Sequence, residues 1–228
     1  MQVFDSRPLF SRQEDIKVRI GECNGHYCMQ QVESTLCLIQ CAIWRVKLLP
    51  IEPADKFIKI QWRPLSLSVN NSRLILTPRD GESFYLYGDD GNELHHIELP
   101  DYMIAYHAVE TTRNTYIVSH HNRFIEDTSS HPDSVTEVDV NGRVIRTFND
   151  DIDSIHFNHP RYLVLDNDHV IVADRFNERI ILLKSDLQLK RILINELDRK
   201  QPTRVCLISS RLLEISFFES TDIDVFKV

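Results

Sequence analysis

The chain has 228 residues, of which 42% are hydrophobic and 26% charged, so it is long enough to bury a substantial core. Its formal net charge of −8 argues against attraction of the whole surface to nucleic acid or to anionic membranes. No apolar run approaches the ~20 residues that span a bilayer, and the first residues lack the features of a secretory signal, which predicts a cytoplasmic protein.

Cysteine and histidine spacing does not indicate a metal site. The five cysteines are an odd number, which is typical of free thiols in a reducing compartment. Cys23, His26 and Cys28 lie close together, but their spacing fits no common structural zinc motif. His120 and His121 are adjacent on a predicted strand and would point to opposite sides. We therefore expect no metal and no cofactor.

Short strands follow one another along the whole chain. Residues 2–4 and 15–20 are predicted as two strands, and residues 27–32, 37–41, 44–49 and 57–60 as four more. From residue 63 onwards, four segments repeat one pattern of apolar runs and polar turns, with LILT, YIVS, VIVA and LLEI as the second runs. One of the turns is Asn141-Gly142, and Asn-Gly is a strong hairpin signal. Four short antiparallel strands joined by tight turns describe one propeller blade.

The spacing of the second strands supports a repeat with one insertion. Their central residues are separated by 42, 54 and 42 positions and are Ile75, Ile117, Ile171 and Leu213. The excess in the middle interval corresponds to residues 123–134, a polar segment that interrupts the strand pattern. We interpret this segment as a loop between the second and third strands of one blade, where it would form a flap over one face.

We therefore predict a single all-β domain over residues 1–228, a β-propeller of four-stranded antiparallel blades. The blades are predicted at about residues 21–60, 61–100, 101–148, 149–194 and 195–228. The last unit stops after three strands, and an exposed strand edge is unfavourable, so residues 1–20 are expected to complete it. This gives about five blades, and an incomplete six-bladed ring is the alternative.

The segment PRYLVLDNDHVIVADRFNERIILL, residues 160–183, resembles the NHL repeat. The residues that carry the resemblance are Pro160, Val172, Ala173, Asp174, Asn177, Arg179 and Ile180. The other units keep the strand pattern and an opening Pro64, His107 or Pro202, without the Asp/Asn/Arg set. The resemblance implies a propeller like those at the C-termini of tripartite-motif proteins, which serve as platforms for protein or RNA.

The Asp/Asn/Arg set is predicted to have a structural role in a loop. Asp174 and Asn177 would lie between the second and third strands, where short polar side chains cap backbone N–H groups. Arg179 would begin the third strand and reach a carboxylate with its head group. No nucleophile is paired with a base in the sequence, so we expect no catalytic residues and no enzyme activity.

Propeller topology predicts which residues share a face. The connections between blades and the second-to-third-strand loops emerge on one face, and the remaining turns emerge on the other. The first of these faces is predicted to bind an acidic or hydrogen-bonding segment of a protein partner, because arginine forks suit carboxylates and phosphates. The predicted partner-binding residues are Arg63, His107, His120, Arg123, Arg161, Arg175 and Arg204.

The main functional hypothesis is therefore a non-catalytic protein-interaction module, with no small-molecule substrate and no membrane association. An RNA-binding propeller is the alternative, although the net charge of −8 opposes it. A metal-dependent propeller hydrolase or lyase is the third hypothesis. It would require several inward-pointing carboxylates or histidines at the axis, which the sequence does not supply.

Overall fold

The structure is a computed structural model, and it describes residues 28–32, 35–39, 43–47, 55–58, 60, 62, 64–70, 73–88, 90–123, 133–148, 155–166, 169–195, 197, 200–209, 212–220 and 223–227. Within these ranges the regular elements are β-strands, and each strand pairs antiparallel with its neighbour in sequence. The predicted all-β propeller fold is confirmed.

The strands form four four-stranded sheets and one three-stranded sheet, which we number as blades 1 to 5. Blade 1 consists of β1 (Cys28–Val32), β2 (Thr35–Ile39), β3 (Ile43–Lys47) and β4 (Asp55–Ile58). Blade 2 consists of β5 (Pro64–Asn70), β6 (Arg73–Pro78), β7 (Ser83–Tyr87) and β8 (Glu93–Glu98). Blade 3 consists of β9 (Met103–Glu110), β10 (Tyr116–Asn122), β11 (Asp133–Val138) and β12 (Val144–Thr147). Blade 4 consists of β13 (Pro160–Asp166), β14 (His169–Asp174), β15 (Arg179–Lys184) and β16 (Leu189–Ile194). Blade 5 consists of β17 (Pro202–Ser209), β18 (Leu212–Phe217) and β19 (Ile223–Lys227).

The core lies between the blades. In β14, Val170 and Val172 pack in a cluster with residues of blade 3, whereas Ile171 and Ala173 pack in a cluster with residues of blade 5. Both faces of a middle strand are therefore buried, so its sequence is a continuous apolar run instead of an alternating one. The outer strands β8, β12 and β16 are largely exposed and include exposed apolar residues such as Leu94, Val144 and Ile192.

The first strands of consecutive blades lie next to each other around the centre, in the order β1, β5, β9, β13 and β17. Several expectations concern residues outside the described ranges: the strands at 2–4 and 15–20, the completion of blade 5 by residues 1–20, and the flap formed by the insertion. Of the insertion's described residues, Arg123 follows β10, and Asp133 and Ser134 begin β11. No helix in the described ranges has the length and apolarity needed to cross a membrane.

Candidate functional site

The inner strands of blades 2 to 5 each contain a β-bulge near their start. In each strand the register skips one residue, and the skipped residues are Leu65, Tyr106, Arg161 and Thr203. The same register aligns Ala105, two residues before His107, with the prolines that open the other three units. The opening position assigned to His107 from the sequence is therefore wrong. Because a bulge redirects the side chains around it, these repeated bulges set which residues point toward the centre of the ring.

The residues that follow two of these bulges contact each other across the inner strands. His107 and Tyr162 stack with their ring centroids 3.9 Å apart. The backbone N–H of Leu163 lies 3.3 Å from Nδ1 of His107 and donates to it, so the ring proton is on Nε2. Nε2 then donates to the carbonyl of Leu67 at 3.3 Å, and the hydroxyl of Tyr162 donates to the same oxygen at 3.0 Å. We call the pair His107 and Tyr162 the axial plug, because it joins the inner strands of blades 2, 3 and 4.

Both predicted partner-binding histidines are interior residues. His107 is 1% exposed, and its burial lowers its pKa to about 3, with smaller contributions from Arg204 and Arg161. His120 is 2% exposed and lies 2.8 Å from the hydroxyl of Thr136, and burial lowers its pKa to about 4. Both imidazoles are therefore neutral at pH 7.

A strip of four rings and two guanidinium groups lies on the plug's side toward the second-to-third-strand loops. Arg161 lies 5.6 Å from the ring centre of Tyr106, which is 4.3 Å from the ring of His159. His159 is in turn 4.9 Å from Phe176. Arg175 lies 5.0 Å from the ring of Phe176 and 4.0 Å from that of Phe218. We call these six residues the axial mouth: Tyr106, His159, Arg161, Arg175, Phe176 and Phe218.

The axial mouth is electrostatically positive. Burial lowers the pKa of Arg161 below its usual range, and the charges of Arg175, Arg204 and Arg79 lower it further. Within the described part of the chain, Arg161 makes no ion pair with a carboxylate. Burial and then the charges of Arg161 and Arg175 lower the pKa of His159 to about 4. An uncompensated guanidinium, partly withdrawn from water, favours an anionic ligand.

The buried carboxylate of Asp133 contacts two residues of the axial mouth and the side chain of His121. One of its oxygens lies 3.5 Å from the hydroxyl of Tyr106 and 3.1 Å from Nδ1 of His121. Its other oxygen accepts the backbone N–H of His159 at 2.5 Å. Asp133 therefore fixes the positions of two mouth residues without neutralising Arg161.

Asp174, Asn177 and Arg179 form one network that holds the connection entering blade 4. The buried carboxylate of Asp174 accepts the backbone N–H of Asn158 at 2.8 Å, Nδ2 of Asn177 at 2.9 Å and Nε of Arg179 at 2.7 Å. Asn177 and Arg179 also donate to the carbonyl of His156, at 2.8 and 2.6 Å. Burial raises the pKa of Asp174, and these donors oppose that rise. The network fixes residues 156–158 and therefore the position of His159.

The structure places the predicted partner-binding residues in three different settings. Arg161 and Arg175 belong to the axial mouth, and Arg204 lies close enough to shift the pKa of Arg161. Arg123 lies at the outer rim of the same face and forms an exposed ion pair of 2.6 Å with Glu82. His107 and His120 are buried, and Arg63 lies outside the described residues. No contact with a partner tests the role of any of them, which stays a prediction.

Sequence reasoning assigned no binding role to Tyr106, Phe176 or Phe218. Phe217 and Phe218 are adjacent in the sequence, yet Phe217 is 4% exposed and Phe218 is 37% exposed. Phe176 is 46% exposed. For Phe176 and Phe218 the available signal was a large aromatic residue in the loop after a middle strand, whereas Tyr106 lies within β9 and had no such signal.

A second concave region lies on the opposite side of the plug. This cavity has a volume of about 990 Å³ and is lined by the later halves of the inner strands, from Ser68, Glu110 and Leu165 to Cys206. Glu110 is buried there and accepts a hydrogen bond from Arg73. In the described residues no group of three or more histidine, cysteine, aspartate or glutamate side chains is arranged to hold a metal ion.

Comparison with solved structures identifies the fold. A chain in the crystal structure of a nidogen/laminin complex superposes with a TM-score of 0.62 and 14% identity, over 88% of this chain and 74% of that one. Regucalcin from Agrobacterium tumefaciens, a calcium-binding protein, superposes with a TM-score of 0.60 and 10% identity, over 89% and 70%. The computationally designed protein Ika8 gives 0.54 and 9%, over 90% and 73%.

These likenesses show the β-propeller fold alone, because the identities are far too low to transfer a function. No model of a known protein family matches the chain. No curated protein matches it in sequence either.

Proposed function

We propose that the protein is a non-catalytic interaction module that binds a protein partner through the axial mouth. The observation that supports this proposal most directly is that Arg161 has no carboxylate partner in the described ranges. Arg161 also lies in one strip with the exposed rings of Phe176 and Phe218. Aromatic and arginine side chains dominate the energetic centres of protein interfaces. An anionic segment of a partner supplies the missing counter-charge, and its apolar atoms cover the rings.

The arrangement of the loops supports this proposal. The mouth is built from the bulge of β9, the start of the inner strand β13, the connection containing His159 and the loops that follow β14 and β18. Arg175 and Phe176 donate their backbone N–H groups to the carbonyls of His159 and Asn158, at 3.2 and 3.0 Å. A rigid scaffold with side chains presented on tied loops is a common basis for recognition. We further infer that the chain is a diverged NHL-type propeller, because blade 4 carries the Asp174, Asn177 and Arg179 network.

Site-specific photo-cross-linking tests the proposed face. A benzoylphenylalanine residue replaces Phe176 in the full chain, and a second protein carries it at Ile145, which is 45% exposed on the outer strand of blade 3. Both proteins are irradiated in extract from cells that express the chain. We expect discrete cross-linked products at position 176 that are absent from position 145 and disappear when Arg161→Ala is added. Equal products from both positions, or products that survive this substitution, would refute the proposed face.

RNA binding is a second candidate, because the exposed rings that flank Arg175 could also stack on bases. It predicts a mobility shift of single-stranded RNA that weakens steeply between low and physiological salt. The shift would also require Phe176 and Phe218. No shift at low salt would eliminate this candidate.

A further inference from the structure

The positive charge at the axial mouth comes from arginines in several blades. Arg161 lies at a bulge of the inner strand β13, and the charges of Arg175, Arg204 and Arg79 all act on it. These four residues come from blades 2, 4 and 5, so the ring brings them together from distant parts of the chain. His107 and Tyr162 stack on each other next to these arginines, and Arg204 also lines the cavity described above.

We propose that the axial mouth binds a phosphorylated side chain of the partner, with the phosphate seated on Arg161 and Arg175. This inference rests on the proposed function and specifies the chemistry of the partner. The phosphate accepts hydrogen bonds from the guanidinium groups, and the residues on either side of it cover Phe176 and Phe218.

The number of guanidinium groups favours a phosphate over a carboxylate. A phosphomonoester carries a charge of about −1.5 to −2 at neutral pH and has three terminal oxygens that accept hydrogen bonds. A carboxylate carries one charge and fits a single arginine fork. Arg175 donates its Nε to Gln201 at 3.1 Å, and its terminal nitrogens form no ion pair within the described part of the chain. Arg161 and Arg175 lie at two places along the same strip of rings, and the charge of Arg175 acts on Arg161, so the phosphate is seated between them.

The surroundings of the mouth favour a phosphorylated protein over RNA. Asp80, Glu82 and Glu219 are exposed on the same face, around the positive centre. Arg123 on that face is already paired with Glu82. A phosphodiester chain crossing the face would bring several phosphates close to these carboxylates, whereas a single phosphate on Arg161 and Arg175 lies near one of them, Glu219, whose charge acts on Arg175.

Degenerate peptide libraries test the inference directly. Each fluorescent library has one fixed central residue, which is phosphoserine, phosphothreonine, phosphotyrosine, serine or aspartate, and binding to the full chain is measured by fluorescence polarisation. We expect at least one phosphorylated library to bind about tenfold or more tightly than its unphosphorylated and aspartate counterparts. Millimolar inorganic phosphate should compete, because it offers the same oxygens. Equal affinity for phosphorylated and unphosphorylated libraries would overturn the inference.

Matched variants assign the binding to the mouth. Arg161→Ala should lower phosphopeptide affinity about tenfold or more, and Arg161→Lys should restore only part of it, because lysine keeps the charge but loses the fork. Arg143→Ala is the control, since Arg143 is exposed in the turn between β11 and β12 on the opposite face. Circular dichroism and thermal melting show that each variant is folded. A loss equal in Arg143→Ala and Arg161→Ala would contradict the assignment, as would tighter binding of single-stranded RNA at physiological salt.

Phosphatase treatment separates this inference from the proposed function. The cross-linking at position 176 is repeated in extract that has first been dephosphorylated. We expect the cross-linked products to disappear after dephosphorylation and to persist when the phosphatase is inhibited. If the products persist in both extracts and still require Arg161, the protein-binding face stands and the phosphate inference fails. If no product forms in either extract, the proposed function itself fails.

Discussion

Replacing His107 with phenylalanine should make the protein's stability less sensitive to acid. The imidazole has a pKa of about 3 in the folded protein, against about 6.5 for an unperturbed histidine, chiefly because it is buried. A base with a lowered folded pKa contributes stability above its unfolded pKa. That contribution is lost as the pH falls from 6.5 toward 3, because the unfolded chain takes up the proton first.

The expected magnitude follows from the two pKa values. A pH of 4.5 is about two units below the pKa of the unfolded histidine, which is therefore protonated, whereas the folded imidazole is still neutral. This difference lowers the free energy of unfolding by about 2–3 kcal/mol relative to pH 7. At pH 7, phenylalanine removes the acceptor for the buried N–H of Leu163, at a cost of about 1–3 kcal/mol. The carbonyl of Leu67 retains the hydroxyl of Tyr162 at 3.0 Å. Wild type should therefore be the more stable protein at pH 7 and nearly equal to the variant at pH 4.5.

Urea unfolding of both proteins at the two pH values measures this change. Acidic groups elsewhere affect wild type and variant alike, so the difference between the proteins isolates His107. Tyr162→Phe is the matched control, because it removes a hydrogen bond of the same plug and no group that titrates between pH 4.5 and 7. The loss of unfolding free energy that Tyr162→Phe causes relative to wild type should be the same at both pH values. A His107→Phe deficit that is equally large at pH 7 and pH 4.5 would refute the buried, neutral imidazole.

Two further substitutions test how loops and turns hold the blades. Asp174→Ala should lower the unfolding free energy by about 3–5 kcal/mol in urea titrations, because it leaves Arg179, whose side chain is 15% exposed, without its carboxylate. Gly142→Ala should lower it by about 2 kcal/mol or more in the same assay. Gly142 has a φ of +75°, and an added methyl group would collide with the carbonyl oxygen of Glu98 in the neighbouring blade.

Each substitution has a control in the same chain. Asp186→Ala removes an exposed carboxylate that accepts one backbone N–H, from Gln188 at 3.2 Å, and should cost about 1 kcal/mol or less. Gly88→Ala brings its methyl group near the side chain of Asp90, which can move aside. If Asp174→Ala lowers the unfolding free energy no more than Asp186→Ala does, the network around Asp174 does not hold residues 156–158 as described. If Gly142→Ala is as stable as Gly88→Ala, blades 2 and 3 move apart enough to accommodate the methyl group, and the predicted collision with Glu98 is wrong.

The repeat of short strands was readable from the sequence because its signals are local. Apolar runs such as residues 170–173 and turns such as Asn141-Gly142 depend on neighbouring residues, and they coincide with β14 and with the turn before β12. The position of His107 within its strand was not readable. The bulge at Tyr106 moves the register by one residue, and the hydrophobic pattern on either side does not reveal where that extra residue lies.

The sequence by itself therefore determined the all-β propeller architecture and the general location of the arginines that begin inner strands or follow middle strands. Only the tertiary structure decided that His107 is buried, that Arg123 is neutralised by Glu82, and that Arg161 and Arg175 share one strip with Phe176 and Phe218. The physical reason is that strand formation follows from contacts within a blade. The charge and shape of the mouth arise where residues from several blades meet at the centre of the ring.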